Sequence, residues 1–257
     1  MVKEIELSIS VHKQGGITRL RLDRPERRNA FNAEMITQLH QGIVESLHEP
    51  SCRCLVIDGA GEHFCAGRDL RAFDSEAPLD EVIAGDDLWA DIFRLLDESD
   101  LPSVAVVRGY AYAGGFTLAM GCDFVLADQT ARFQVSEMRH NFPAAINTPI
   151  LSKLLGPRLA LELAILGETV TASRLYAMGL INRLVEDAAA LASEVESFTA
   201  TIVSRDKIAI GQTKRLHRTT RQGSLSDALN MGSLINTQAA LAGKFADAGR
   251  SLKKPAE

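Results

Sequence analysis

The chain of 257 residues has four cysteines, Cys52, Cys54, Cys65 and Cys122, and nothing about them suggests a disulfide framework. Cys52 and Cys54 stand one residue apart, with no second Cys/His pair at zinc-site spacing, so no metal site is expected. The N-terminus lacks the apolar stretch and cleavage site of a signal peptide. No run approaches the ~20 apolar residues that span a bilayer. These absences make a reducing, cytoplasmic setting the expectation, with no membrane. The net charge of −5 gives no reason to expect nucleic acid or an anionic membrane as partner. Common site motifs are missing too. Gly59-Ala-Gly61 follows a strand-like run but has no third glycine and opens no helix, so it is no dinucleotide fingerprint. There is no Walker phosphate loop, no Gly-x-Ser-x-Gly elbow and no internal repeat.

A composition of 46% hydrophobic and 24% charged residues is that of a soluble globular protein, long enough for one large domain or a domain plus an appendage. Residues 5–11 and 16–22 read as strands joined by a Gly-Gly turn. Asn32 caps a helix running to about residue 49, with Ile36, Leu39, Ile43 and Leu47 on one face. A strand at 54–58 and a helix carrying Leu88, Trp89, Ile92, Phe93 and Leu96 follow. Strands are expected at 103–107, 123–127 and 131–135. Helices then dominate: 149–155, 157–166, a short one between Thr171 and Gly179, and 188–204, 206–219 and 224–246. Strands interleaved with helices, closed by a helical end, predict an α/β core with a helical appendage.

The most informative stretch is Gly109-Tyr-Ala-Tyr-Ala-Gly-Gly-Phe-Thr-Leu-Ala-Met-Gly-Cys-Asp123, where an apolar strand passes through Gly114 and Gly115 into an apolar helix. A helix start offers free N–H groups and a positive dipole end to a developing anion. Phe64-Cys-Ala-Gly-Arg-Asp-Leu70 is a second candidate of the same kind. Two such donors on one carbonyl form an oxyanion hole, each worth roughly 3–4 kcal/mol to a transition state.

Five segments in order resemble the crotonase (enoyl-CoA hydratase/isomerase) superfamily. They are Leu22-Asp-Arg-Pro-Glu-Arg-Arg-Asn-Ala30, the run from Val56 to Leu70, the glycine block, Ala131-Arg-Phe-Gln-Val-Ser-Glu137, and the run from Gly167 to Val185. The resemblance implies a spiral of β-β-α units over residues 1–200, and a helical oligomerisation region over 201–257 that builds a homotrimer or hexamer. It implies an acyl-CoA thioester substrate, with coenzyme A entering as part of the substrate and no separate cofactor. The backbone amides of Arg68 and Gly114 would form the oxyanion hole. Arg28, Ala30, Ala66, Asp69, Leu70 and Arg71 match positions that contact the nucleotide or pantetheine, Arg27 lying beside them. Lys244, Phe245, Lys253 and Lys254 match less well as contacts to a neighbouring subunit's ligand.

Family hydratases use two glutamates. Here Thr117 occupies the first position and Glu137 the second. Thr117 has no titratable group and is left to hold a water or a substrate group. One carboxylate suffices to move a proton from C2 to C4 of a 3-enoyl thioester, so the departure favours an isomerase with Glu137 as sole acid/base. Hydration, another CoA-thioester lyase or hydrolase reaction, and a non-catalytic acyl-CoA-binding homologue stay open. So does a plain role for Glu137 as a surface carboxylate or a partner of Arg132 or Arg139. His140 is a lesser acid–base candidate; the resemblance places Asp74, Asp86 and Asp87 in a region that shapes the acyl pocket, as solvated loop acids or with one of them reaching the substrate. Ala144, Ala145 and Ile146 suggest an apolar acyl site, although Pro143 arrives one residue early and alanines replace the expected glycines.

Overall fold

The computed structural model describes residues 7–72 and 76–252. Asp74, Lys253 and Lys254 therefore lie outside the described residues. The chain opens on a hairpin, β1 (Ile9–Gln14) and β2 (Ile17–Leu22), turned by Gly15 and Gly16. Helix α1 (Ala33–His48) starts where Asn32 accepts a hydrogen bond from the Met35 amide, as its cap position predicts. Then come β3 (Cys54–Gly59), α2 (Leu79–Glu98), β4 (Ser103–Val107), β5 (Tyr110–Tyr112), α3 (Gly114–Gly121), β6 (Phe124–Asp128) and β7 (Arg132–Gln134). A 3-10 turn, Glu137–His140, leads to α4 (Asn147–Leu154) and α5 (Pro157–Leu166). Next are β8 (Val170–Thr171), α6 (Ala172–Ala177), β9 (Arg183–Val185) and α7 (Ala188–Ser204). The end is helical: α8 (Lys207–Gln222), α9 (Leu225–Leu241) and α10 (Lys244–Leu252). The helix expected at 224–246 is broken at Gly243, whose φ of 75° no helix sustains.

The main sheet has the order β1-β2-β3-β4-β6-β9, all parallel beyond the first hairpin, and a small second sheet has the order β5-β7-β8. Every residue of β3 is buried, as a parallel strand covered on both faces requires. Its side chains alternate between two cores. Leu55 and Ile57 join the larger one with α1, α2 and α3, while Cys54 and Val56 meet Leu191 and Val195 of α7. All four cysteines are buried and unpaired, and burial pushes the thiols of Cys54 and Cys65 up to about 12. Among the described residues no helix is long and apolar enough to cross a membrane.

The helical end is pinned to the core by Lys214 of α8. Its Nζ donates to the Leu96 and Leu101 carbonyls, both at 2.9 Å, and to Asp123 Oδ2 at 2.7 Å. The ammonium side chain is only 10% exposed. Replacing it removes the charged donor from all three, leaving Asp123 to Ser103 and the two carbonyls to the Ser99 hydroxyl. Lys214→Met is expected to lower the unfolding free energy by about 2–3 kcal/mol, read from urea denaturation.

Candidate active site

Between β5 and α3 the chain turns at Ala113, which sits at φ 46°, ψ −118°. A residue with a Cβ adopts this conformation at a cost of order 1–3 kcal/mol and holds it only where its surroundings over-determine it. Here they do. The Ala113 amide donates to the Gln134 carbonyl at 2.7 Å. The Ala113 carbonyl accepts from the Thr117 amide (3.0 Å), Thr117 Oγ1 (3.1 Å) and Asn147 Nδ2 (3.2 Å). The peptide plane between Ala113 and Gly114 is thereby fixed, its carbonyl turned into the protein and the Gly114 N–H to the opposite side. That N–H opens α3 and has no acceptor among the described residues.

The segment carrying Arg68 lies against this turn. Residues 65–69 run between β5 and residues 28–31. Cys65 N donates to the Tyr110 carbonyl (2.8 Å) and Tyr112 N to the Cys65 carbonyl (2.9 Å). On the other flank, Ala66 N donates to the Arg28 carbonyl (3.0 Å), Phe31 N to that of Gly67 (2.7 Å) and Asp69 N to that of Phe31 (2.8 Å). In this parallel bridge the Arg68 amide points away from Phe31, and it too has no acceptor among the described residues. A Cβ placed on Gly67 would lie 2.8 Å from the Ala113 Cβ and 3.4 Å from the Gly114 nitrogen, so the two loops meet backbone to backbone. Contrary to expectation, no helix follows Arg68: residues 66–72 are bridge and turn, and the donor is presented by sheet pairing.

Glu137 opens the 3-10 turn after β7. Its Oε1 accepts from Asn147 Nδ2 at 2.8 Å, while its Oε2 is buried with no partner among the described residues. Burial raises the carboxyl above its ordinary value, against the opposing hydrogen bonds from its own backbone and from Asn147 and the charge of His140. The guanidinium of Arg132 is spent on the carbonyls of Gln129 and Ala131, so it is no partner for Glu137. Arg139 instead lays its aliphatic stem along Gly167. Thr117 is 1% exposed and its hydroxyl proton goes to the Ala113 carbonyl. Its proton is thereby engaged in the turn. His140 is exposed, as is Asp87.

An aromatic wall closes one side of the Gly114 turn. Trp89 Cζ2 is 3.2 Å from where a Gly114 Cβ would stand, and the Phe31 ring is 3.6 Å away. The two rings pack at 4.8 Å between centroids. The Arg68 guanidinium pairs with Asp86 of α2, both side chains partly exposed. Ala144 is buried, Ala145 exposed and Ile146 half-buried.

The expected nucleotide-contact residues fall along one edge. Arg28, Ala30, Ala66 and Asp69 are brought together by the 28–31/66–69 pairing, and Leu70 and Arg71 follow on an exposed turn. Arg28 is exposed and lies over the Tyr110 ring at 5.5 Å. The Asp69 carboxylate faces the protein: it accepts from Arg24 Nη2 (3.4 Å) and from the Arg71 amide (3.3 Å). Lys244 is paired with Asp206 at 2.9 Å, and Phe245 is exposed.

Three further residues shape this site. Arg24 ties the Ala30 carbonyl to Asp69. Asn29, fully buried, donates to the Ala60 and His63 carbonyls and accepts from the Arg24 amide. Asn147 bridges Glu137 and Ala113. The one trace of Asn147 in the sequence is a good capping residue standing one place past the cap of a helix, where Ile146 makes no side-chain cap bond.

Two backbone amides with no acceptor among the described residues, beside a carboxyl with a buried oxygen, are groups of the kind that proton transfer next to a carbonyl requires. The sequence model of the family described as enoyl-CoA hydratase/isomerase matches residues 12–240. The chain belongs to that family, within the crotonase superfamily, and is an acyl-CoA-processing enzyme of its type. It is 30% identical over 240 residues to 1,2-epoxyphenylacetyl-CoA isomerase of Escherichia coli K12, covering 92% of this chain and 90% of that protein. A carnitinyl-CoA dehydratase of Escherichia coli SMS-3-5 is also 30% identical, over 252 residues, with 93% and 94% covered. The crystal structure of an enoyl-CoA hydratase from Mycobacterium smegmatis superposes with a TM-score of 0.88 at 27% identity, covering 95% of this chain and 97% of that one.

Proposed function

We propose that the enzyme is an enoyl-CoA isomerase that moves a double bond through an enolate, with Glu137 as its single acid/base. The observation that carries this reading is the carboxyl itself. Oε1 is held by Asn147, Oε2 is unpartnered, and the position of a second glutamate is filled by a buried Thr117 whose hydroxyl is already engaged. Relatives named isomerase and dehydratase match at equal identity, so the names do not separate the reactions. The set of proton carriers favours isomerisation.

In this mechanism Oε2 of ionised Glu137 takes a proton from C2 of a 3-enoyl thioester. The C–H electrons pass into the conjugated system and charge collects on the thioester oxygen. The Arg68 and Gly114 amides bind that oxygen. The same carboxyl, now protonated, returns its proton to C4 as the oxygen charge flows back. The product is the 2-enoyl thioester, with no water consumed and no separate cofactor. Arg28, Ala30, Ala66, Leu70 and Arg71 line the edge assigned to coenzyme A. Asp69 acts there by fastening the loop.

The test is mass spectrometry and ultraviolet absorbance in heavy water with matched 2-enoyl- and 3-enoyl-CoA panels. Conversion of 3-enoyl to conjugated 2-enoyl product at constant oxygen content supports the isomerase. A gain of water identifies a hydratase instead.

The helical end fits a homotrimer, alone or paired into a hexamer. Leu225, Leu229 and Leu234 of α9 are 65%, 64% and 67% exposed, and an open groove of ≈ 670 Å³ runs between α8 and α9. Three such leucines on one helix favour burial against another copy. Leu229→Glu is expected to shift light-scattering mass toward the 27.9 kDa of one chain. An unchanged mass would argue against this face.

A further inference from the structure

We infer that Asn147 is a positioning residue that holds the proton-carrying carboxyl and the peptide bearing an oxyanion donor in one fixed register. The inference rests on the isomerase reading for what that register does, and on the structure alone for the register itself. One side-chain nitrogen carries two hydrogens, and both are placed: one on Glu137 Oε1 at 2.8 Å, one on the Ala113 carbonyl at 3.2 Å. Ala113 is the residue whose following peptide presents the Gly114 N–H. Of the three donors on the Ala113 carbonyl, two come from Thr117 within α3 and the third, Asn147, comes from α4. A planar amide thus spans the two halves of the site.

Stability alone does not account for the arrangement. Asn147 is 1% exposed, and its Oδ1, like Glu137 Oε2, is buried with no partner among the described residues. Unsatisfied buried acceptors are unfavourable and tend to persist where function requires them. Nor does the side chain cap its own helix: Asn32 does so for α1, whereas α4 has Ile146 at that position and no side-chain cap bond.

After burial and the hydrogen bond from the backbone of Glu137 itself, Asn147 is the foremost side chain acting on this carboxyl. His140 and Arg139 share its turn, and only the charge of His140 acts on it. α4 offers Asn147 and α3 offers Thr117, neither titratable. Glu162 of α5, which packs on the same turn, is directed to Arg174.

Three measurements test this. In wild-type protein without substrate, the Asn147 side-chain amide resonances should titrate in step with the ¹³C-carboxyl signal of Glu137. In Asn147→Ala the Glu137 titration should move to higher pH, because a donor to the ionised form is gone. In the near-isosteric Asn147→Asp it should move further, because a like charge is added. With a 3-enoyl thioester, Asn147→Ala should lower kcat about 10–100-fold, the worth of one hydrogen bond to a charged group, while KM changes by less than about threefold. The acidic limb of its pH profile should move upward with the titration. A Glu137 titration unaffected by either substitution, or Asn147 resonances indifferent to it, overturns the inference whether or not turnover is seen. Absence of wild-type turnover on every enoyl thioester defeats the isomerase reading and leaves the titrations to decide the role of Asn147.

Discussion

Glu137→Gln is expected to reduce double-bond migration and C2 deuterium exchange by about 10²–10⁴-fold, the range for a positioned acid/base, while acyl-CoA still binds. The substitution preserves shape: a Gln carbonyl at the Oε1 position still accepts from Asn147 Nδ2, which now stands 2.8 Å away. What is lost is the group that carries the proton in the proposed mechanism. The pH dependence has a definite sign. Burial raises the Glu137 carboxyl, so the acidic limb of kcat/KM for the wild type should lie above the ordinary glutamate range of about 4.3. Folding stability moves the opposite way. A raised pKa in the folded state means that Glu137 favours folding while protonated, and that this contribution is lost as pH rises through the folded pKa. Gln never ionises. Glu137→Gln should therefore melt higher than wild type at neutral pH, and the difference should close as the pH falls below the ordinary glutamate range. Lost activity with a gain in neutral-pH stability separates a catalytic carboxyl from a structural one. Full activity in the variant would remove Glu137 from the mechanism.

Much of this architecture can be read from local signals, and what cannot be read is set by contacts between distant segments. The helix after Gly114, the caps at Asn32 and Thr171, and the limits of α7 follow from capping chemistry and apolar periodicity confined to neighbouring residues. The short strands β5, β8 and β9 carry no such signal. Tyr110–Tyr112 is a strand because it pairs with residues 132–134 and with Cys65. The site divides in the same way. Glu137 and the glycine block stand out by residue type and resemblance. Asn147 is untitratable and ten residues from the carboxyl that it holds, and its meaning comes only from the fold bringing Ala113 beside it. Asp69 shows the converse. Its expected place among the coenzyme A contacts comes from the resemblance, whereas the turn of its carboxylate toward Arg24 appears only once the two loops pair.

Gly67→Ala should be the other severe lesion, with kcat lowered about 10²–10³-fold, comparable to removing one oxyanion donor. Gly67 has φ 93°, where a residue with Cβ is strained. Its new methyl would also stand 2.8 Å from the Ala113 Cβ and 2.9 Å from the Tyr112 carbonyl oxygen. None of these neighbours can yield cheaply. Ala113 is held by its hydrogen bonds to Gln134, Thr117 and Asn147, and Tyr112 by its ladder to Cys65. The loop bearing Arg68 must therefore move off the Gly114 turn, and the proposed convergence of the two amides on one oxygen is lost. Proton transfer at Glu137 does not depend on that loop directly. The variant should keep the wild-type Glu137 titration while losing turnover, whereas Asn147→Ala should move that titration as well as lower kcat. Gly249→Ala provides the control, because a Cβ there meets nothing within 4 Å and lies inside α10. It should leave activity intact and gain about 0.5–1 kcal/mol from helix propensity. Wild-type kcat in folded Gly67→Ala protein would show that the close approach of these two backbones is not what stabilises the enolate.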